Sequence, residues 1–466
     1  MHDKPVLKRL AQVALGMLIL QLFLSGIFYL ERMSVLDAAF VLLKIINEEE
    51  PTIMVGRYGS ILTQAWPWLG VKLGLPLNQL MLIYSISFTF LNLVVGCILY
   101  LRRAYPWLIA LVTYFLLWYS DAFFWTNNEI HQAVALFCLG AGFLPSRMTH
   151  QSFTNWGLWI WGVATLSLSI FTHPLMLVII VFFVALFLVE QQWNLSRAYH
   201  WGLVMILFLV TILKYYLSSG NWYDGAKFKM LSSVPLDDWS LVFQKPLFST
   251  FFSELFTNYL PAALLALFCW LAGIYYKRYL TVVLSMTACL VHVVLVAIVV
   301  NDFIRFYTES QWMLISFFLI LPLMCWWPKL GYNWRQVFFG LFVFSIAWWG
   351  YQFSGSASLY LERRAWHEGM IERMAEEGKQ KWVLPALTAE QKILLQMDWG
   401  LPAESLLLSS RSGPSRSYIS QERLTSPIET VHFHNCFDTL DRRKLHPHYF
   451  QWDSHTPYQL APSAPH

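Results

Sequence analysis

The chain has 466 residues, of which 57% are hydrophobic and only 13% charged, and its formal net charge is +4. Soluble globular proteins carry about 25% charged residues, so this composition excludes an ordinary soluble protein and indicates a polytopic membrane protein. The positive charge comes from short loops between apolar segments. It therefore indicates membrane orientation and predicts no nucleic-acid partner.

Eleven apolar runs are candidates for transmembrane helices, each of which needs about 20 apolar residues to cross the hydrocarbon core. The runs are 11–30, 80–101, 105–120, 129–145, 155–172, 174–190, 200–218, 258–276, 280–300, 310–327 and 336–352. The third, fourth and eleventh are short and have to stand nearly upright or be covered by neighbours. We therefore predict an all-α polytopic membrane protein with about 11 transmembrane helices.

Basic residues in short loops predict the orientation, because such loops stay on the cytoplasmic side. Every second loop carries at least one of them, for example Arg102 with Arg103, or Lys277 with Arg278. The N-terminus is then cytoplasmic, and an odd number of spans places the C-terminus outside. We expect a multi-pass integral protein of the plasma (inner) membrane whose long, acidic first loop, 31–79, faces away from the cytoplasm.

The chain changes character near residue 353. Residues 353–466 hold 25 of the 60 Asp, Glu, Lys and Arg residues. We therefore divide the chain into a transmembrane domain, 1–352, and a soluble extracytoplasmic tail domain, 353–466, predicted to be small and α+β. Segments 404–410 and 430–437 resemble strands. The last dozen residues contain three prolines and are expected to be disordered.

The first outer loop is predicted to contain two amphipathic surface helices. Apolar residues recur at helical spacing over Val35–Ile46, which fits a helix with one face buried in the membrane surface. Pro51 should end this helix, and a second amphipathic stretch covers Ser60–Val71. Asp37 follows shortly after the first span. It is either a carboxylate at the level of lipid head groups or a helix-start residue favoured by the helix dipole.

This arrangement resembles the GT-C membrane glycosyltransferases, which include protein mannosyltransferases, bacterial aminoarabinose transferases and oligosaccharyltransferases. The shared features are one transmembrane helix, a long outer loop with an early acidic residue and two surface helices, a helical bundle and an exported C-terminal domain. The resemblance covers residues 1–352 as architecture. It implies transfer of a sugar from a polyprenyl-phosphate donor, held among membrane lipids, to a glycan, lipid or protein acceptor on the non-cytoplasmic face.

Two acidic residues resemble functional positions of this class. Asp37 corresponds to the acid of the first loop, which implies a general base that takes the proton of the acceptor hydroxyl. Glu129, in the segment TNNEIHQAVALF, resembles a second acid that holds a metal or orients the acceptor. The alternative for Glu129 is a helix-start residue beside the capping groups of Asn127 and Asn128.

A second set resembles the positions that bind the donor phosphate. His173, in FTHPLM, lies at an outer corner where the class often has Lys or Arg; a structural corner histidine is the alternative. The segment NDFIRFYTESQWML contributes Asp302, Arg305 and Tyr307, and an arginine suits phosphate because its planar fork pairs two oxygens. An internal Asp302–Arg305 ion pair is the alternative. Arg57, the preceding outer-loop arginine, belongs to the same predicted set.

The prediction for cofactors is none, with a divalent metal as the alternative. The first loop has no acidic pair next to Asp37, and no strict metal motif appears, so a metal-independent mechanism is favoured. His432, His434 and Cys436 have a spacing that suits a metal only weakly. Two other functions stay open: a non-enzymatic scaffold of an envelope assembly, and a polysaccharide polymerase or ligase. The second is disfavoured because loop 219–257 has three lysines but no Arg or His.

Overall fold

The protein is described by a computed structural model that covers residues 4–146, 148, 155–193, 198–233, 240–300, 303–424, 445–453 and 456–462. It is 77% helical and contains one small sheet of three strands. The first ten helices are α1 (Lys4–Ile27), α2 (Tyr29–Met33), α3 (Leu36–Glu48), α4 (Ile61–Lys72), α5 (Leu77–Leu101), α6 (Tyr105–Leu117), α7 (Glu129–Phe143), α8 (Trp156–Thr172), α9 (Met176–Val189) and α10 (Ala198–Ser219).

In its described residues, the second half of the helical bundle contains eight helices of 5 to 45 residues. They are α11 (Trp222–Ser232), α12 (Ser240–Gln244), α13 (Pro246–Thr257), α14 (Leu260–Tyr275), α15 (Tyr279–Val299), α16 (Arg305–Trp312), α17 (Ile315–Trp326) and α18 (Tyr332–Glu376). Single 3-10 turns occur at Met54–Gly56, Tyr58–Ser60, Asp121–Phe123, Trp327–Lys329 and Gln421–Arg423.

Fewer helices than the eleven predicted are long and apolar enough, among the described residues, to cross a bilayer. Within the described residues, six helices are long and apolar enough to cross a bilayer, or seven if α13 and α14, bent by 89°, form one span. Helices α6 to α9 are apolar but have only 13 to 17 residues. At 1.5 Å per residue they reach about 20–26 Å, short of a hydrocarbon core of about 30 Å. The protein is a multi-pass membrane protein, and the predicted total of eleven spans is not confirmed.

The short helices have a different role in the bundle. Every residue of α6 from Pro106 to Leu117 is buried, and α7 is buried over nearly its whole length. Helix α7 packs along α8, and α6 packs against α1 and α17. These helices therefore form the interior of the bundle, and longer helices such as α10 and α15 expose apolar side chains on the outside.

The two predicted helices of the first outer loop are present. Helix α3 ends at Glu48, ahead of Pro51, and α4 covers the second stretch. The prediction of a surface helix is wrong for α3, because both its faces are covered. Its apolar side chains share one cluster with α5 on one side and with Leu406 and Leu407 of the tail on the other. Helix α4 does expose apolar side chains, including Trp66.

The tail is joined to the bundle by a single continuous helix. Helix α18 has 45 residues, about 67 Å at 1.5 Å per residue, and runs through residue 353 without a break. The elements after it are β1 (Lys381–Leu384), α19 (Ala389–Leu395), α20 (Leu401–Ser409), β2 (Ser417–Ser420) and β3 (Gln459–Leu460). The strands are parallel in the order β2-β1-β3, with Val383 opposite Ile419.

The tail differs from its prediction in one of the two expected strands. The strand predicted over 404–410 is wrong, because this segment lies in helix α20. A short apolar run does not distinguish strand from helix, whereas Pro402 in the first turn favours the helix. The predicted strand 430–437, with His432, His434 and Cys436, lies outside the described residues. Of the last dozen residues, Gln459 and Leu460 form the edge strand β3.

Candidate active site

A cavity of about 370 Å³ lies where the loop 31–79, the bundle and the tail meet. Its walls come from α3, the Met54–Arg57 loop, the segment before α7, the α8–α9 corner, α11 and α16, and the tail adds Met397 and Trp399. Small-molecule sites typically have about 300–1,000 Å³, so this volume suits a sugar-sized group. Five of the predicted site residues line it: Asp37, Arg57, Glu129, His173 and Tyr307.

Asp37 is the carboxylate in the first turn of α3. It is partly buried, and Trp125 donates a hydrogen bond from Nε1 to its Oδ2 at 2.9 Å. Burial raises the pKa of Asp37 to about 7, and the negative charge of Glu129 adds to the rise; the Trp125 hydrogen bond and Arg57 only partly offset it. Near neutral pH this carboxyl can therefore both accept and release a proton.

Arg57 is held between two carboxylates. Its guanidinium contacts Glu129 at 2.7 Å and Asp224, in the first turn of α11, at 3.2 Å. Burial alone would lower the pKa of Arg57, but the two carboxylates outweigh it and the net shift is upward. The helix-start alternative for Glu129 is also present in part, since Asn128 caps α7 by accepting from the Ile130 amide, whereas Asn127 accepts from the Tyr84 hydroxyl. Glu129 thus starts a helix and also lines the cavity.

The loop that carries Arg57 rests directly on the α8–α9 corner. A Cβ added to Gly59 would lie 1.9 Å from the Thr172 Oγ1 atom, so only glycine permits this approach. His173 follows at once, and its Nδ1 accepts a hydrogen bond from the Leu175 amide at 3.2 Å. Burial, with Arg57 and Lys227 nearby, holds the pKa of His173 well below its ordinary value. The ring is therefore neutral and carries its proton on Nε2.

Lys227 is the cation that the sequence analysis did not select. Its ammonium donates to the Tyr307 hydroxyl at 2.6 Å and to the Tyr223 hydroxyl at 2.9 Å. It also lies 4.2 Å from the centroid of the Tyr223 ring. Within the described residues, no Asp or Glu pairs with it. A sequence signal existed: Asn221 caps α11, and the i,i+4 spacing places Tyr223 and Lys227 on one face.

A second, apolar cavity of about 160 Å³ borders the first. The two share Arg57, His173, Lys227 and Gln311. The remaining walls of the second cavity are almost all hydrocarbon and come from α9, α11 and α15: Leu175, Leu177, Val178, Phe228, Leu231, Leu295, Val296, Val299 and Val300. Lys227 therefore lies at the boundary between a polar chamber and an apolar groove.

Arg305 is placed apart from this cavity, although Tyr307 on the same helix lines it. Its guanidinium lies 3.3 Å from Glu309 and 3.8 Å from Asp121, and Ser120 and Gln352 accept further hydrogen bonds. These contacts join α16, α18 and the segment before α7. Asp302 lies outside the described residues, so the predicted Asp302–Arg305 pair is not tested.

In the part of the chain that the structure describes, no group of three or more His, Cys, Asp or Glu side chains could hold a metal ion. Asp37, Glu129 and Asp224 approach the same region, but Arg57 already pairs with two of them. The charged groups of the cavity are therefore arranged around a guanidinium.

No family model, curated protein or solved structure matches the chain. The functional inference therefore depends on the chemistry of the two cavities.

Proposed function

We propose that this protein is a glycosyltransferase that moves a sugar from a polyprenyl-phosphate donor to an acceptor hydroxyl outside the cytoplasm. The observation that carries the proposal is the position of Lys227, between a polar cavity that contains a carboxyl with a pKa near 7 and an apolar groove. The polar cavity, Lys227 and the apolar groove match in order the three parts of such a donor, which are a sugar, a phosphate and a hydrocarbon chain. The acceptor is a glycan, lipid or protein, and the N-terminus is cytoplasmic.

The groove suits the hydrocarbon chain of such a donor. Away from its polar boundary, its walls are Leu, Val, Phe and Pro side chains, whose apolar surface a hydrocarbon chain would remove from water. Asp224 also lines this groove, and its carboxylate pairs with Arg57. The phosphate would then lie at the boundary, where Lys227 supplies an ammonium and His173 an Nε2–H donor. Arg57 is less suited to this role because Glu129 and Asp224 already neutralise it. Lys227 has only neutral hydroxyl partners among the described residues, so its charge is not balanced there.

The polar cavity suits the sugar and the chemical step. Asp37 takes the proton of the acceptor hydroxyl while that oxygen forms a bond to the anomeric carbon of the sugar. The bond from this carbon to the phosphate oxygen breaks, and polyprenyl phosphate leaves with the electron pair. Lys227 offsets the charge that develops on the phosphate. One displacement inverts the anomeric centre, and the aromatic ring of Trp125 lines the cavity where a sugar ring could pack.

The first test measures binding of the leaving group. Purified protein in detergent micelles is titrated with nonaprenyl phosphate, with nonaprenol and with inorganic phosphate. We expect nonaprenyl phosphate to bind and the other two ligands to bind far more weakly, because the proposed site contacts both the phosphate and the hydrocarbon chain. Lys227→Ala should weaken binding by about 10- to 100-fold, the range for one charge-assisted hydrogen bond. Lys229→Ala is the matched control, because Lys229 is an exposed lysine on the same helix that lines neither cavity.

The second test measures turnover. A panel of polyprenyl-phosphate-linked hexoses, pentoses and N-acetylhexosamines is incubated with the protein in native membranes, and release of free polyprenyl phosphate is followed. At least one donor should be consumed faster by the wild type than by Asp37→Asn. Equal release by both proteins for every donor, together with no binding of nonaprenyl phosphate, would refute the proposed function.

A further inference from the structure

The start of α3 is held by a residue of the tail. Val35 occupies the N-cap position, where its side chain cannot accept a hydrogen bond. Leu36 has φ of +42°, a left-handed conformation that residues other than glycine rarely adopt. Its amide donates instead to Oε1 of Glu404 at 2.6 Å, across a sequence separation of 368 residues. Asp37 is the next residue, so the position of its carboxylate depends on this contact.

Glu404 is itself fixed from the other side. It lies on α20, fully buried, and its Oε2 accepts from Arg363 of α18 at 2.8 Å. His367, one turn further along α18, faces the same oxygen at 3.2 Å. Arg363 also donates to the Ser34 carbonyl at 2.5 Å, which lies two residues before Leu36. The pKa of Glu404 is lowered despite burial, because Arg363 favours the ionised carboxylate.

The tail backbone touches the same point. A Cβ on Gly400 would lie 2.9 Å from the Leu36 Cα atom and 2.5 Å from Oε1 of Glu404, so the approach requires glycine. The chain just before Gly400 supplies two residues of the cavity wall, Met397 and Trp399. The Trp399 ring also packs edge-on against Phe40 of α3, with 6.4 Å between ring centroids. The tail thus contacts α3 at its first and second turns.

We propose that the exported tail contributes to the active site through Glu404. This positioning residue binds the Leu36 amide and thereby holds the Asp37 carboxylate at the cavity wall. This inference rests on the proposed function. Without the Glu404 carboxylate, the Leu36 amide loses its hydrogen bond. The left-handed conformation of Leu36 is then no longer stabilised, and the first turn of α3 relaxes. A displacement of about 1 Å at a reacting group can reduce turnover by about 100-fold.

The main test compares Glu404→Ala with a control on the same tail. Glu422→Gln is the control, because Glu422 forms an exposed pair with Lys392 far from α3. We expect Glu404→Ala to reduce kcat by about 100-fold, while binding of nonaprenyl phosphate at Lys227 stays within about threefold of the wild type. Glu404→Gln keeps an oxygen that can accept from Leu36 and should recover part of the loss. In an Asp37→Asn background, Glu404→Ala should cause no further loss.

A second readout reports on Asp37 without turnover. A water-soluble carbodiimide modifies protonated carboxyl groups, and mass spectrometry of the Asp37 peptide over a pH series gives its titration. The titratable and charged groups that surround Asp37 are themselves not substituted: Arg57, Glu129, Tyr84 and Tyr223, with His173 and Lys227 across the cavity. In Glu404→Ala we therefore expect the midpoint to move from about 7 toward the ordinary value for Asp, because the relaxed turn is better hydrated.

The outcomes separate the two proposals. Wild-type kcat and an unmoved Asp37 titration in Glu404→Ala would overturn the positioning role. Joint loss of turnover and nonaprenyl phosphate binding would also overturn it, because Glu404 would then only support the fold. If the wild type consumes no donor and binds no nonaprenyl phosphate, the proposed function fails, and the positioning role fails with it. If Asp37→Asn consumes donor as fast as the wild type, Asp37 is not the base, and the positioning role of Glu404 fails while sugar transfer stands.

Discussion

Asp37→Asn tests the chemical step and the local electrostatics together. The amide has almost the shape of the carboxyl but cannot accept the acceptor proton. General-base catalysis typically contributes about 100- to 10,000-fold, so donor consumption at pH 8 should fall by at least about 100-fold. Trp125 can still donate its hydrogen bond to the amide oxygen, so the fold should be retained. Turnover is followed by release of polyprenyl phosphate, and yield and monodispersity by size-exclusion chromatography.

The same substitution should raise stability at alkaline pH. The pKa of Asp37 is about 7 in the fold and about 3.8 when unfolded, a difference equivalent to at most about 4 kcal/mol. Because the raised pKa favours the protonated form in the fold, wild-type stability falls as pH rises from about 4 through 7. Water in the cavity reduces the effect, so we expect Asp37→Asn to be about 2 kcal/mol more stable at pH 8 and equal at pH 3.5.

Melting temperatures at both pH values check this expectation, with Glu48→Gln as the control. Glu48 is the last residue of the same helix, is exposed and pairs with Lys44, so its substitution should change neither melting nor turnover. An Asp37→Asn protein with wild-type turnover would show that Asp37 is only a helix-start residue. Lower stability than the wild type at pH 8 would show that the carboxylate is better solvated than the structure indicates.

Substitutions can also test the roles of Glu129 and Arg305 and the orientation of the chain in the membrane. Glu129→Gln removes a negative charge beside Asp37, so the acid limb of the pH–rate profile should move down by on the order of one pH unit; an unmoved limb would contradict this. Arg305→Ala leaves two buried carboxylates unpaired and should lower unfolding stability by roughly 3 kcal/mol in a denaturant titration; wild-type stability with weakened lipid-phosphate binding would favour a phosphate role instead. Cysteines replacing the exposed Ile393 and Leu101 should react with an impermeant maleimide from outside and inside, respectively; the reverse pattern would invert the orientation.

The helices of the fold could be predicted from local sequence, and so could some of the positions at which they end. Apolar runs predict each helix, and Pro51 predicts where α3 ends. Hydropathy does not distinguish a helix that crosses a bilayer from one that is buried inside a bundle, because both are apolar on every side. Residues 105–117 illustrate this, since their surroundings are other helices and their length is too short for a full span.

The site was predictable where a residue carries its own signal. His173 directly follows an apolar run, Glu129 begins one and Asp37 lies seven residues after one, and charged or polar residues near such boundaries are informative. For Lys227 the local signal was incomplete: its spacing from Tyr223 places both on one helix face, but its contact with Tyr307, 80 residues away, cannot be read from the sequence. The hydrogen bond between Leu36 and Glu404 has no local sequence signal either. The burial of Glu404 and the positive φ of Leu36 are properties of the folded structure, in which the tail packs against α3.

The long separation between α3 and its cover has a consequence for biosynthesis. Synthesis at roughly 5–20 residues per second needs roughly 20–70 s to add the 368 residues between Leu36 and Glu404. During this interval the apolar outer face of α3 has no tail to pack against, and the membrane interface is the nearest surface that can accept it. A surface helix would then describe the nascent chain, whereas in the folded protein α3 is buried. The enclosed position of α3 can therefore be reached only after Glu404 and the neighbouring tail residues have been synthesised, late in translation.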